Sequence, residues 1–135
     1  AQKNNLDWVI VDGAPGIGCQ VIASLTGVDG AIVVSEPTLS AIHDLKRVVE
    51  LADHFHLKIG VVVNKSDINP SLAREIKRWA DENKLPTLAE IPLDRRIVDA
   101  MAQRKSPIEI GDDSLSEIYK NIWEKFVEEY FTNSD

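Results

Sequence analysis

The sequence of 135 residues predicts an α/β fold in three layers (α/β/α), with helices on both faces of a mainly parallel sheet. Three observations predict this fold. Short apolar runs without polar alternation recur along the chain, as in strands that are buried on both faces. Stretches with the apolar spacing of helices fill the gaps between these runs. The connections are short, which favours right-handed βαβ units.

Four apolar runs are the predicted strands. They are Trp8–Val11, Ala31–Val34, Ile59–Val63 and Thr87–Ile91, of which the last has the weakest pattern. Polar or glycine-rich residues follow each run. Because ligands bind beyond the carboxyl ends of the strands in open α/β sheets, we expect these following segments to share one functional edge.

Four helices are predicted between and after the strands. The first runs from about Cys19 to Leu25, and the third begins with Asn69 as N-cap and Pro70 as its first residue. Apolar stripes define the second helix, Leu39, Ile42, Leu45, Val48, Val49, Ala52 and Phe55, and the last, Leu115, Ile118, Tyr119, Ile122, Trp123, Phe126, Val127 and Tyr130. The acidic stretch 111–114 is the expected mobile connection into the last helix. We therefore divide the chain into residues 1–111 and a C-terminal amphipathic helix, 112–135, that packs on the same domain.

Charge and cysteine content limit the partners. The net charge of −7 argues against binding to nucleic acid or to an anionic membrane surface. The single cysteine, Cys19, excludes an internal disulfide and suits a reducing compartment. There is no signal peptide pattern and no apolar run near the ~20 residues of a membrane span, so we expect a cytoplasmic protein. The only methionine is Met101, so the sequence does not begin with Met. Removal of an initiator Met before Ala1, or a cut from a longer protein, would explain this, and we expect a fragment of a longer protein.

A carboxylate follows the first predicted strand directly. Asp12 at this position is suited to hold Mg²⁺, directly or through water, beside a nucleotide phosphate. Glycines at 13, 16 and 18 allow the backbone to approach a phosphate closely. A strand end with an Asp that caps the next turn explains the same residues, and the motif alone leaves both interpretations open.

The segment from Trp8 to Gly16 resembles the Walker B strand and switch II loop of the MinD/ParA/Mrp family of P-loop ATPases. Ala14 departs from the family pattern at its first proline, whereas Pro15 and Gly16 match. The resemblance covers about Leu6 to Lys105. It implies a P-loop NTPase-like fold in which Asp12 positions Mg²⁺ through water. Gly13 and Pro15 would line the nucleotide, and Gly16 would sense its terminal phosphate.

Two later strand ends are similar to the family's base-binding segments. Asn64 matches the position that holds the adenine base, and Pro92, Leu93 and Asp94 resemble the loop that covers its other side. The resemblance therefore implies ATP and Mg²⁺ as ligands of the parent protein. It also implies a homodimer around nucleotide, with residues 36–44 as a candidate contact.

The phosphate-binding P-loop, Gly-x-x-x-x-Gly-Lys-Ser/Thr, occurs nowhere in the sequence. We therefore predict that the chain alone neither hydrolyses nucleotide nor binds it tightly, and we assign it no catalytic residue. The run from Pro15 to Cys19 and the following residues 21–27 resemble a narrower group, MinD-like ATPases with an inserted ferredoxin-type iron–sulfur domain. The cysteine ligands of such a cluster would lie outside this chain.

Alternatives remain for the ligand. Asn64-Lys65-Ser66-Asp67 also fits Asn-Lys-x-Asp, the guanine-reading motif of GTPases, with Lys65 and Asp67 as further nucleotide-binding residues. GTPases usually carry Asp-x-x-Gly at the Walker B position, where Pro15 stands here, so we favour ATP. A dinucleotide-binding site is disfavoured because Val21 replaces its third glycine. A nucleotide-free interaction module is the alternative of another class. The acidic polar face of the last helix argues against membrane binding.

Overall fold

Three parallel strands form the centre of the computed structural model, which describes residues 7–109 and 113–132. The strands are β1 (Gly30–Ser35), β2 (Lys58–Asn64) and β3 (Thr87–Ile91), arranged in the order β1-β2-β3. Val33 pairs with Val61 across β1 and β2, and Asn64 pairs with Ile91 across β2 and β3. The central position of β2 explains its apolar sequence, because both neighbours and both faces exclude water from it.

Five helices accompany the sheet in the described part of the chain. They are α1 (Cys19–Leu25), α2 (Leu39–His54), α3 (Pro70–Glu82), α4 (Arg95–Ala102) and α5 (Asp113–Val127), which continues into a π-helical turn (Glu128–Thr132). The predicted start of α3 is confirmed, since the Asn69 side chain accepts a hydrogen bond of 3.1 Å from Leu72 N. Thr38 caps α2 in the same way, at 3.2 Å from Ala41 N.

The helices cover both faces of the sheet, which confirms the predicted α/β/α layering. Alternate residues of β2 point to opposite faces and enter two separate cores. One core joins α1, α2 and α3 to the sheet, and it contains Val21, Leu25, Ile42, Leu45, Val49, Ala52, Ile59, Val61, Val63, Ala73, Ile76 and Ala80. The other joins α5 to the sheet, and it contains Val62, Leu88, Ile91, Ile122 and Phe126.

The π-helical turn is attached to the start of β2. The Tyr130 hydroxyl donates to the Ile59 carbonyl oxygen at 2.7 Å, and Lys58 Nζ donates to the Tyr130 carbonyl oxygen. The Lys58 ammonium also lies 4.5 Å from the centre of the Phe131 ring. Burial, helped by the charge of Glu129, raises the pKa of the Tyr130 hydroxyl. These contacts hold the end of α5 against the edge of the sheet where the strands begin.

The first predicted strand is wrong. Residues 8–11 have no strand structure, and their side chains are between 45% and 81% exposed. Only Trp8 finds ring partners, with its centroid 4.9 Å from Trp123 and 5.5 Å from Phe131. An apolar run becomes a buried strand only when a neighbouring strand pairs with it and other elements pack on both of its faces. Among the described strands, β1 pairs only with β2, so residues 8–11 have no such partner. Val34 on β1 is accordingly 60% exposed.

Three smaller expectations also changed. Leu39 was expected in the apolar stripe of α2 but is 74% exposed, because it occupies the first turn beyond the reach of the core. Helix α4 was not predicted at all. The expected mobile connection was residues 111–114. Residues 111 and 112, and with them the predicted domain boundary, lie outside the described residues, whereas Ser114 belongs to α5. None of the described helices combines the length and the apolar character that crossing a bilayer requires.

Candidate functional site

The loop that follows β2 turns sharply toward β3. Lys65 adopts a left-handed backbone conformation with φ of 51°, and its N–H donates to Asn64 Oδ1 at 3.0 Å. The Ser66 N–H donates to the Ile91 carbonyl oxygen at the end of β3, also at 3.0 Å. The Asn64 side chain is thus oriented by its own loop, and its Nδ2 group makes no hydrogen bond to another described residue. It remains able to donate to a ligand.

The loop that follows β3 is held on both sides by carboxylates. The Leu93 N–H donates to Asp67 Oδ1 at 2.7 Å. Asp94 is the N-cap of α4 and accepts from Arg96 N at 2.9 Å. The Arg96 guanidinium also contacts both Asp94 oxygens, and it reaches Ser114 Oγ at 3.2 Å. Pro92 and Leu93 are exposed between these two fixed points.

An ion pair links the end of β1 to the loop after β2. Lys65 Nζ lies 2.6 Å from Glu36 Oε1, with about two fifths of each side chain exposed (38% and 40%). Ser35 and Pro37 on either side of Glu36 are buried, which fixes the position of this carboxylate. Three neighbouring strand ends are therefore joined by polar contacts, from Glu36 through Lys65 and Asp67 to Leu93.

The segment after residues 8–11 is different. Asp12, Gly13, Pro15 and Gly16 are all exposed, and Gly16 has a φ of 87° that favours glycine. The Asp12 carboxylate makes no hydrogen bond or ion pair with any other residue between 7 and 109 or 113 and 132. The structure thus brings together Asn64, Lys65, Asp67 and residues 92–94. No hydrogen bond within the described residues joins the Asp12 loop to them.

Sequence reasoning missed two polar contacts at this edge. The Glu36–Lys65 ion pair and the Arg96–Asp94 pair were not predicted. A signal existed for the first, because opposite charges directly follow two adjacent parallel strands and must lie close together. For the Arg96–Asp94 pair, the signal was the short spacing of the two opposite charges, but helix α4, which Asp94 caps, was not predicted.

Comparison of the sequence with models of known protein families identifies the family of this chain. Residues 1–127 match the ParA model described as NUBPL iron-transfer P-loop NTPase. The chain belongs to the ParA family of P-loop NTPases. This confirms the resemblance to the MinD/ParA/Mrp family that the strand-end motifs predicted.

Curated relatives of this ParA-family chain include proteins named for iron–sulfur clusters. An iron–sulfur cluster carrier protein of Methanocaldococcus jannaschii is 26% identical, over 91% of the chain and 47% of the relative. The cytosolic Fe-S cluster assembly factor CFD1 of Candida glabrata is 29% identical, over 92% of the chain and 50% of the relative. An uncharacterized protein of M. jannaschii is 36% identical over 51% of the chain and 25% of that relative. The chain thus spans between a quarter and a half of the length of these relatives.

Proposed function

We propose that this chain supplies the base side of an ATP site in a ParA-family NTPase whose cargo is an iron–sulfur cluster. One observation carries the nucleotide part of the proposal. The loops after β2 and β3 are joined by the Ser66–Ile91 and Leu93–Asp67 hydrogen bonds, and Asn64 pairs with Ile91, the residue before Pro92. Asn64 would hold the base by an edge hydrogen bond, and residues 92–94 would cover one of its faces.

The contacts of Lys65 favour adenine over the GTPase alternative. Its ammonium is paired with Glu36 at 2.6 Å rather than free beside the base position. Its backbone N–H already binds the Asn64 side chain, which fixes the orientation of that amide. Lys65 would therefore act on the site by holding Asn64 and the loop, and guanine-specific reading is not the favoured function.

The phosphate side of the proposed site is incomplete in this chain. Asp12 offers an exposed carboxylate without a partner among the described residues, and a carboxylate oxygen is a ligand that Mg²⁺ accepts. Gly13, Pro15 and Gly16 would lie against the phosphates. The 135 residues contain no P-loop, so the phosphate cradle and its lysine would have to be supplied by other residues of the working protein. The chain alone would not hydrolyse ATP.

The iron–sulfur cluster enters the proposal through the family description and the names of two relatives. Clusters are held by several Cys thiolates, and this chain has only Cys19, which is exposed at the start of α1. No group of three or more metal-binding side chains lies within the residues that the structure describes. The cluster ligands would therefore come from cysteines outside this chain.

Further parts of the proposal concern the working protein. Residues 1–111 would belong to its NTPase domain, with 112–135 packed on the same domain. It would act as a homodimer, with residues 36–44 near the contact between the two subunits. It would work in the cytoplasm, and neither nucleic acid nor a membrane would be its partner. The net charge of −7 argues against nucleic acid or an anionic membrane as partner, and the single cysteine suits the reducing cytoplasm.

The proposal is tested by NMR titration of the ¹⁵N-labelled chain with AMP and with ATP–Mg²⁺. Because the chain lacks the P-loop, the phosphates should add little binding energy, and both ligands should give similar shifts at millimolar concentration. The expected result is a progressive shift of the amide signals of residues 64–67 and 93–94.

The variant Asn64→Ala should abolish these shifts. Asn121→Ala, an exposed asparagine on α5, is the matched control and should leave them unchanged. Shifts that spread elsewhere, or none for either nucleotide, would contradict the proposed site. The nucleotide-free interaction module would then be the better description.

A further inference from the structure

The side chain of Asp67 joins the two loops of the proposed base site. Its Oδ1 atom accepts from the Leu93 N–H at 2.7 Å, across a sequence separation of 26 residues. Because Pro92 has no N–H, the Leu93 amide is the first backbone donor after the end of β3. Hydrogen bonds to a charged acceptor are shorter and stronger than those between neutral groups. Asp67 thus fixes the backbone immediately after Pro92.

Among the described residues, this bond is the only hydrogen bond made by Pro92 or Leu93 at the tip of the loop. The Ser66–Ile91 hydrogen bond of 3.0 Å joins the two loops at their bases, where the strands end. Asp94 fixes the far side by capping α4. Between these points the path of Pro92 and Leu93 is set by Asp67, and both residues are otherwise exposed.

We propose that Asp67 is a positioning residue, which sets the path of Pro92 and Leu93 and does not itself read the base. A guanine-reading aspartate directs its two carboxylate oxygens at the N1 and N2 donors of the base. Here one of those oxygens is directed at the Leu93 backbone. The identity of the ligand rests on the proposed function, whereas the connection between the loops does not.

Two substitutions separate the two roles. Asp67→Asn keeps a carbonyl oxygen that can accept from Leu93, but it cannot accept from both guanine donors. Asp67→Ala removes the acceptor altogether. Amide hydrogen exchange is the first readout. The Leu93 N–H should exchange about tenfold faster in Asp67→Ala, as expected for one lost hydrogen bond, whereas in Asp67→Asn, which keeps a neutral acceptor, its rate should lie between those of Asp67→Ala and the original chain. Asp81→Ala, an exposed carboxylate on α3, is the control and should change nothing.

NMR titration with AMP and GMP is the second readout. Asp67→Asn should keep the response of residues 64 and 93–94 to AMP, and Asp67→Ala should lose it. Equal Leu93 exchange in all variants would overturn the positioning role. The positioning role would also be overturned if the original chain preferred GMP and Asp67→Asn lost that preference. This comparison still tests the role if Asp67→Ala fails to fold. If neither nucleotide shifts any signal, the proposed function fails, while the exchange of Leu93 still decides the role of Asp67.

Discussion

Gly60 in the central strand shows how closely the sheet and α5 are packed. A Cβ atom at this position would lie 2.5 Å from Leu88 Cδ1 and 3.1 Å from Phe126 Cδ2. Both contacts belong to the core between the sheet and α5, which has little room to yield. At the residue scale, the packing therefore requires the absence of a side chain here.

Gly60→Ala should lower the free energy of unfolding by about 1–3 kcal/mol, the usual cost of overpacking a core. Gly13→Ala is the matched control, because its Cβ would meet nothing closer than 3.9 Å, and its effect should stay within about 0.5 kcal/mol. Urea unfolding followed by circular dichroism measures both. A Gly60→Ala variant as stable as the control would mean that α5 does not pack on β2 as described.

Residues 8–11 pose the main question at the element scale. Ile10 is 81% exposed, so placing a charge there should leave stability within about 0.5 kcal/mol in this chain. The comparison is Val61→Lys, which introduces a charge at a fully buried position of β2 and should prevent folding. Circular dichroism and urea unfolding of Ile10→Lys and Val61→Lys provide the measurement. Strong destabilisation by Ile10→Lys would show that the segment is a buried strand after all.

Element prediction succeeded where the sequence pattern and its packing partners are both within the described chain. Strands β1, β2 and β3 were predicted because helices that the sequence also encodes pack against both faces of their sheet. Helix α3 was predicted with its cap because the signal is local. Residues 8–11 carry the same composition but have no ladder partner among the residues that the structure describes, and apolar composition alone does not reveal that. Helix α4 was missed because it has only eight residues, so the helical spacing of Ile97, Ala100 and Met101 is too short a pattern to distinguish a helix from a loop.

The same distinction applies to the candidate site. Which loops meet at the sheet edge follows from the parallel strand order, so Asn64 and residues 92–94 could be placed together from the sequence. Side-chain partners could not be predicted in this way. The contacts of Lys65 with Glu36 and of Asp67 with Leu93 depend on the left-handed turn at Lys65 and on the register of β2 with β3.

At the scale of the whole molecule, the chain combines a core on both faces of the sheet with a proposed nucleotide site that lacks a phosphate cradle. Both faces of the sheet are covered, and the loops after β2 and β3 are tied together. The Asp12 loop is exposed, no hydrogen bond among the described residues joins it to those loops, and the sequence has no P-loop. In this account the chain provides base contacts, and the energy of phosphate binding depends on residues that it does not contain.

Thermal unfolding of the chain with about 5 mM ATP–Mg²⁺, and with GTP–Mg²⁺ in parallel, tests this account most directly. A ligand that binds the native state raises the melting temperature with concentration. With base contacts alone and a dissociation constant of about 10 mM, the gain would be only about 0.2 kcal/mol, so we expect a change of no more than about 2 °C. A rise of several degrees, or release of phosphate from either nucleotide, would contradict the claim that the phosphate side of the site lies outside this chain.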